Sequence, residues 1–137
     1  MGAKEVVIGI IGTGRIGQLH TKLLNRNVES VKVKSVCDVV KASARTCAEN
    51  ENIGNYTDNY FDIFDDREID AVVICSSTDT HAELTKLAAR AGKDIFCEKP
   101  ISFDIQDIKE TLKIVKDAGV KLQIGFNRRF DPNFARV

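Results

Sequence analysis

The segment VVIGIIGTGRIGQLHTKLL, from Val6 to Leu24, joins an apolar run of strand length to a helix-period run through Gly12, Gly14 and Gly17. Few folds accept that order. In a GxGxxG loop that follows a strand and opens an amphipathic helix, the first glycine takes the tight turn. The second leaves room for a pyrophosphate against the backbone, and the third permits close helix packing. Unpaired N–H groups in the first helical turn then face the phosphates. Such a loop calls for an acid about 20 residues further on, at the end of the next strand. Asp38 stands there, where its carboxylate accepts hydrogen bonds from adenosine ribose hydroxyls. It would repel a 2′-phosphate, which favours NAD over NADP, while Lys41 and Arg45 keep NADP open. The competing reading is a tight strand-to-helix turn and a solvated aspartate. Strand, glycines, helix and acid in register weigh against it.

The same alternation continues along the chain. Val6–Ile11, Val31–Cys37, Ala71–Cys75, Asp94–Cys97 and Lys121–Phe126 read as strands, most of them near-continuous apolar runs of the kind covered on both faces in a parallel sheet. Between them lie helices. Arg15–Asn25 places Ile16, Leu19, Leu23 and Leu24 at helical spacing, and Lys41–Glu49 is shorter and polar. His81–Ala91 presents Leu84, Leu87, Ala88 and Ala91 before Gly92, and Asp104–Ala118 presents Ile105, Ile108, Leu112 and Val115 before Gly119. Tyr60–Asp66 adds a short helix. With no internal repeat, the βαβα order predicts an α/β fold, a Rossmann-type doubly wound parallel sheet. Ligands of such sheets lie at the carboxyl ends of the strands.

Composition narrows the function classes. The 137 residues are 43% hydrophobic and 29% charged, which suits one globular domain and argues against disorder. Twenty basic side chains balance 20 acidic ones, and no basic stripe offers the footprint of a nucleic-acid binder. No run reaches the length of a membrane span, and no secretory signal opens the chain. Cys37, Cys47, Cys75 and Cys97 lack CxxC spacing, and three of them sit in apolar runs as small hydrophobes. A reducing cytoplasm fits that usage. Neither histidine has partners at metal-ligand spacing, so no metal site is expected.

In FCEKPIS, Phe96 to Ser102, two opposite charges follow directly on a buried strand, where an uncompensated charge is costly. The position resolves the conflict: Glu98 and Lys99 fall on the sheet edge where the ligand should lie. Lys99 brings an ammonium toward the ribose or nicotinamide end of a dinucleotide, where it can hydrogen-bond a substrate hydroxyl and follow its proton. Glu98 is expected to hold it. Pro100 ends the strand, and the Lys99–Pro100 bond is a candidate for the cis form. Taken alone, a Glu-Lys pair reads as an exposed ion pair in a loop.

GTGRIGQLH near the start, SSTDTH after the Ala71 strand, EKP after the next and GFNRRFDP near the end together resemble the glucose-fructose oxidoreductase, inositol dehydrogenase and MocA family of NAD(P)-dependent dehydrogenases. Among its members the inositol 2-dehydrogenases and similar polyol or sugar dehydrogenases are nearest in tone. The resemblance implies that Gly12, Thr13, Gly14, Arg15, Ile16 and Gly17 form the pyrophosphate loop and that Asp38 binds the adenosine ribose. It implies that Ser77, Thr78 and His81 lie along the cofactor. Glu98 and Lys99 would reach the nicotinamide side, with Lys99 the catalytic residue touching substrate, and Arg128 or Arg129 would follow at the crossing into a second domain. From the residues themselves, His81 equally suits a helix cap, and His20 reads as a packing or hydrogen-bonding residue of the first helix.

Residues 1–126 are therefore expected to form the dinucleotide-binding domain, and residues 127–137 to begin the crossing into a carboxyl-terminal α/β domain that the chain lacks. A truncated chain or proteolytic fragment would account for this. The intact parent is expected to oxidise a secondary hydroxyl of a small polyol or sugar, to act as a homo-oligomer, and to use neither nucleic acid nor membrane. The rivals are a non-catalytic NAD-binding or sensory module, an NAD-using glycosidase of the same family, and a reductase of a cyclic imine or biliverdin-like tetrapyrrole. EKP weighs against the last.

Overall fold

The computed structural model describes residues 4–126. In chain order the elements are β1 (Val6–Ile11), α1 (Arg15–Asn27), β2 (Val31–Cys37), α2 (Lys41–Asn50), β3 (Asn55–Thr57), α3 (Phe61–Phe64), β4 (Ala71–Ile74), α4 (His81–Arg90), β5 (Asp94–Cys97), α5 (Ile105–Ala118) and β6 (Leu122–Ile124). A single 3-10 turn, Thr78–Thr80, precedes α4. The six strands form one sheet in the order β3-β2-β1-β4-β5-β6. Every pairing is parallel, so the expected doubly wound sheet is present.

Strand alternation sends side chains into two cores. Ile8, Ile10, Val33, Val36 and Val73 pack with Ala44, Cys47 and Ala48 of α2 on one face. Ile11, Val72, Ile74, Ile95 and Cys97 pack with Leu84 and Ala88 of α4 and Val115 of α5 on the other. Burial on both faces is what the near-continuous apolar runs encode.

Four expectations change in detail. The Ala71 strand stops at Ile74, although the Cys75 N–H still donates to Ile11 O at 2.7 Å. The last strand shrinks to Leu122–Ile124, and the helix expected over Tyr60–Asp66 is the single turn Phe61–Phe64. Strand β3 is new: a polar triplet with no apolar run, it exists because β2 offers it a free edge, pairing Ser35 with Asn55 and Cys37 with Thr57.

Two helices bury faces that differ in part from the expected ones, although Leu24 of α1 and Val115 of α5 do pack on the cores. On α1, Ile16, Leu19 and Leu23 are exposed, whereas Gly17 and Thr21 are buried. Small residues face inward because this helix must approach the glycine loop closely. On α5, Val115 is buried as expected, but Ile105 and Leu112 are exposed and Thr111 takes a buried place. The buried Lys86 of α4 explains the turn. Its Nζ donates to Asp107 Oδ1 at 2.8 Å and to Glu110 Oε2 at 3.3 Å, so the side of α5 carrying Asp107, Thr111 and Val115 is drawn toward α4.

At the opposite edge from the strands' carboxyl ends, the buried Lys93 donates its Nζ to Asp66 O at 2.6 Å and Ile69 O at 2.7 Å, tying the entry of β4 to that of β5. Lys93→Met would leave both carbonyls without this donor. The expected cost is about 2 kcal/mol, read as a lower urea midpoint with an unchanged slope.

Candidate functional site

The strand order reverses between β1 and β4, and the chain leaves the two in opposite directions along the sheet. A crevice at their carboxyl ends follows from that topology. It is a cleft of about 780 Å³, walled by the glycine loop, Asp38 and Val39 after β2, and Cys75, Ser76 and Ser77 after β4.

The three glycines have three different surroundings. Gly12 has φ +97, and a Cβ placed on it would lie 2.5 Å from the Cys75 carbonyl carbon and the Ser76 nitrogen. Backbone here meets backbone. A Cβ on Gly17 would lie 1.8 Å from Gly12 O, so α1 rests directly on the loop, whereas a Cβ on Gly14 would meet nothing within 4 Å. That open space lies in front of the first turn of α1, which has no side-chain cap and no acidic residue. Its N–H groups lack intrahelical acceptors, and together with the positive end of the helix dipole they form a cradle suited to a pyrophosphate.

Asp38 is tied into the same loop. Its Oδ2 accepts from the Thr13 N–H at 2.8 Å and the Thr13 hydroxyl at 2.9 Å, and its Oδ1 accepts from the Val40 N–H at 2.9 Å. Thr13 is 1% exposed, and its carbonyl accepts from Gln18 Nε2 at 2.9 Å. Burial works against the charge on Asp38, but the Thr13 and Val40 N–H groups and the Thr13 hydroxyl outweigh it and hold the carboxyl below the ordinary aspartate value of 3.8. The stability this charge lends is complete above that value and is lost only as the pH falls through the lower folded one. A carboxylate oxygen accepts more than one hydrogen bond, so Oδ1 retains capacity for a ribose hydroxyl. Asp58 lines the same end of the cleft, adding a second negative charge. Arg45, one of the two cations that favoured a phosphate there, instead donates to Glu49 at 2.9 Å along α2.

Of the expected site residues, Gly12, Gly14, Arg15, Ile16, Asp38 and Ser77 line this cleft. Thr13 and Gly17 lie behind it. Thr78 begins the 3-10 turn. The Thr80 hydroxyl donates to Ser77 O at 2.7 Å and lies 2.7 Å from Ser76 Oγ, so the Ser76 hydroxyl donates to it. His81 is 2% exposed. Its Nδ1 and Nε2 lie 2.8 Å from the carbonyl oxygens of Pro100 and Ser76, so the ring bridges the loops after β4 and β5. Lys99 is exposed beyond β5, and the Lys99–Pro100 bond is cis. Arg128 and Arg129 lie outside the described residues.

Glu98 does not pair with Lys99 among the described residues; its Oε1 lies 2.7 Å from His20 Nε2. Lys99 lies in a bend beyond the end of β5 and is exposed, while the Glu98 carboxylate is turned toward α1. The sequence carried one clue to this contact: His20 follows the glycine loop at helical spacing on the helix that packs beside β5's exit. Tyr60, Asp79, Thr80 and Glu83 also line the cleft without any local signal in the sequence.

The cysteines supply no nucleophile. Burial pushes the Cys37 and Cys75 thiols up to about 12 and that of Cys97 up to about 11, far from the thiolate state that reactivity requires. Among the described residues no group of three or more metal-ligating side chains occurs, and no helix is long and apolar enough to cross a membrane.

This cleft, with a pyrophosphate cradle at one helix and a ribose acceptor at the next strand, fits a dinucleotide. Residues 6–126 match the GFO/IDH/MocA oxidoreductase family, NAD-binding Rossmann fold. The chain belongs to this family. It is 45% identical over 134 residues to the uncharacterized oxidoreductase YrbE of Bacillus subtilis, covering 98% of this chain and 39% of that protein. It is equally 45% identical over 132 residues to an inositol 2-dehydrogenase of Rhizobium meliloti, covering 96% of this chain and 39% of the relative. The crystal structure of scyllo-inositol dehydrogenase from Lactobacillus casei, with bound NAD(H) and scyllo-inositol, superposes with a TM-score of 0.91 at 31% identity, over 97% of this chain and 39% of that one. The chain thus spans about 39% of the length of these relatives. Within the family, this chain is the NAD-binding Rossmann part.

Proposed function

We infer that the protein to which this domain belongs oxidises a secondary hydroxyl of a small polyol or sugar of the inositol class. The observation that carries this reading is the placement of Lys99 at the exit of β5, next to the strand that walls the dinucleotide cleft. NAD, when bound, supplies the hydride acceptor. The chain's own residues do the rest: the first turn of α1 binds the pyrophosphate, Asp38 orients the adenosine ribose, and Lys99 hydrogen-bonds the reacting hydroxyl and takes up its proton. A lysine on an exposed, flexible stem suits that work, since as the ammonium it donates hydrogen bonds to the hydroxyl oxygen and as the neutral amine it accepts the hydroxyl proton.

Residues 127–137 begin the crossing into a second domain, as the greater length of the relatives supports, and that domain supplies most substrate contacts and the homo-oligomer contacts. Four free cysteines, three of them buried, are consistent with a reducing cytoplasm.

Calorimetric titration with NADH and NADPH, beside an Asp38→Ala variant, tests the cofactor site. NADH is expected to bind more tightly than NADPH. Loss of the ribose acceptor should weaken NADH roughly 10- to 100-fold, the worth of hydrogen bonds to a charged group. An unchanged affinity in the variant would remove Asp38 from the site. With the whole protein, NADH appearance on addition of NAD and an inositol tests the reaction, and binding without turnover across polyols and sugars would point to a non-catalytic module.

A further inference from the structure

The contact between His20 and Glu98 joins the two halves of the site, and nothing in the reaction as read above uses it. His20 lies in α1, the helix whose first turn forms the pyrophosphate cradle. Its Nε2 is 2.7 Å from Glu98 Oε1, and its ring meets Phe96 of β5 edge-on, with centroids 5.1 Å apart. The carboxylate is enclosed from the other side by Gly125, where a Cβ would lie 2.9 Å from Oε2. The Gly125 N–H donates to Cys97 O at 2.9 Å, and the Glu98 N–H donates to Ile74 O at 3.0 Å. Both side chains are only about a quarter exposed, 26% and 22%. Glu98 is therefore held by α1, β4 and the exit of β6, and it is not among the residues lining the dinucleotide cleft. The residue that follows it is Lys99.

We propose that His20 is a positioning residue: by holding the Glu98 carboxylate it locks the exit of β5 to α1, so that Lys99 is presented in fixed register with the helix that binds the pyrophosphate. This rests on the reading of Lys99 given above. One end of the lock is within α1 and the other directly follows β5, and a shift of about 1 Å at a reacting group is enough to cost roughly 100-fold in rate. The lock also explains the glycine at 125, since any side chain there would displace the carboxylate.

The test compares His20→Ala with His20→Gln, whose amide can donate to Glu98 from nearly the same place. In the whole protein, His20→Ala is expected to lower kcat roughly 10- to 100-fold while NADH affinity stays within about twofold, and His20→Gln to recover most of the loss. Amide hydrogen exchange is read on the same variants. Exchange at Glu98 and Gly125 should quicken about tenfold in His20→Ala and return in His20→Gln, while that of Gln18, bonded within α1, stays unchanged. Wild-type turnover in His20→Ala, a glutamine no better than alanine, or NADH affinity falling in step with kcat would overturn the proposal. If the unsubstituted protein turns over no polyol, the assigned reaction fails, and exchange alone then decides. Loosening at Glu98 and Gly125 that glutamine repairs supports the lock, and unchanged exchange there sinks it.

Discussion

Gly17→Ala is expected to destroy the dinucleotide site and to remove a large share of the stability of the domain. The added methyl would stand 1.8 Å from Gly12 O, and neither partner can yield. Gly12 is itself pressed against the Cys75–Ser76 peptide and holds φ +97, while Gly17 lies in the first turn of α1, whose buried Thr21 hydroxyl donates back to Gly17 O at 2.6 Å. Relief therefore requires α1 to move off the sheet, opening the core that Ile8, Ile10 and Val33 share with the helices on that face. Overpacking at such a site costs about 3 kcal/mol or more, a large share of a domain's stability. Thermal unfolding and NADH titration would read it together. A variant that melts at the wild-type temperature would show that the loop has slack the packing does not suggest. Gly14→Ala provides the contrast, since its methyl would enter open space: folding should survive while the pyrophosphate loses close access to the backbone.

Lys99→Ala in the whole protein is expected to reduce turnover about 100- to 10,000-fold, the usual contribution of a positioned acid–base group, with NADH affinity nearly unchanged. The separation follows from geometry. The cradle and Asp38 lie at the β1 and β2 exits, whereas Lys99 lies at the exit of β5 and is absent from the lining of the cleft. Steady-state kinetics with an inositol substrate, alongside calorimetry with NADH, would distinguish the two effects. Unchanged turnover would exclude Lys99 from the chemistry, and an equal loss in cofactor affinity would recast it as a binding residue.

Much of this architecture is legible from short stretches of chain. Val6–Ile11, Val31–Cys37 and Asp94–Cys97 appear in the fold with the expected ends, because a continuous apolar run bounded by turn residues has few other uses. Gly119, in the left-handed conformation at φ 71, stops α5 as its sequence position indicates. Where the reading slipped, the cause lies in distant partners. Strand β3 has no apolar signal of its own and forms only because β2 leaves an edge open. The inward faces of α1 and α5 were expected along their large apolar residues. The approach to Gly12 and the pull of Lys86 on Asp107 and Glu110 brought Gly17, Thr21 and Thr111 inward in place of Ile16, Leu19, Leu23, Ile105 and Leu112, while Val115 stayed inside.

The candidate site divides along the same line. GTGRIG and Asp38 belong to one βαβ unit, so their meeting follows from spacing once the first strand and helix are recognised. The bond between Asp38 and Thr13 is a consequence of that closeness, although no pattern in the sequence announces it. Glu98 is different. Adjacent to Lys99 in the chain, it suggested an ion pair with its neighbour, but Lys99 is exposed in the bend after β5, and Glu98 meets His20, 78 residues away.

By itself, then, the sequence determined five of the six strands, the four longer helices to within two residues at each end, the doubly wound class and the dinucleotide loop, because each depends on the conformational preferences and periodicity of residues close together in the chain. Only the tertiary structure decided which helix faces are buried, that β3 exists, and that the EKP turn is anchored to α1. Those outcomes depend on contacts that exist only after the sheet has brought separate strand ends to one edge, where packing volume and charge pairing choose among partners that local preference leaves equivalent.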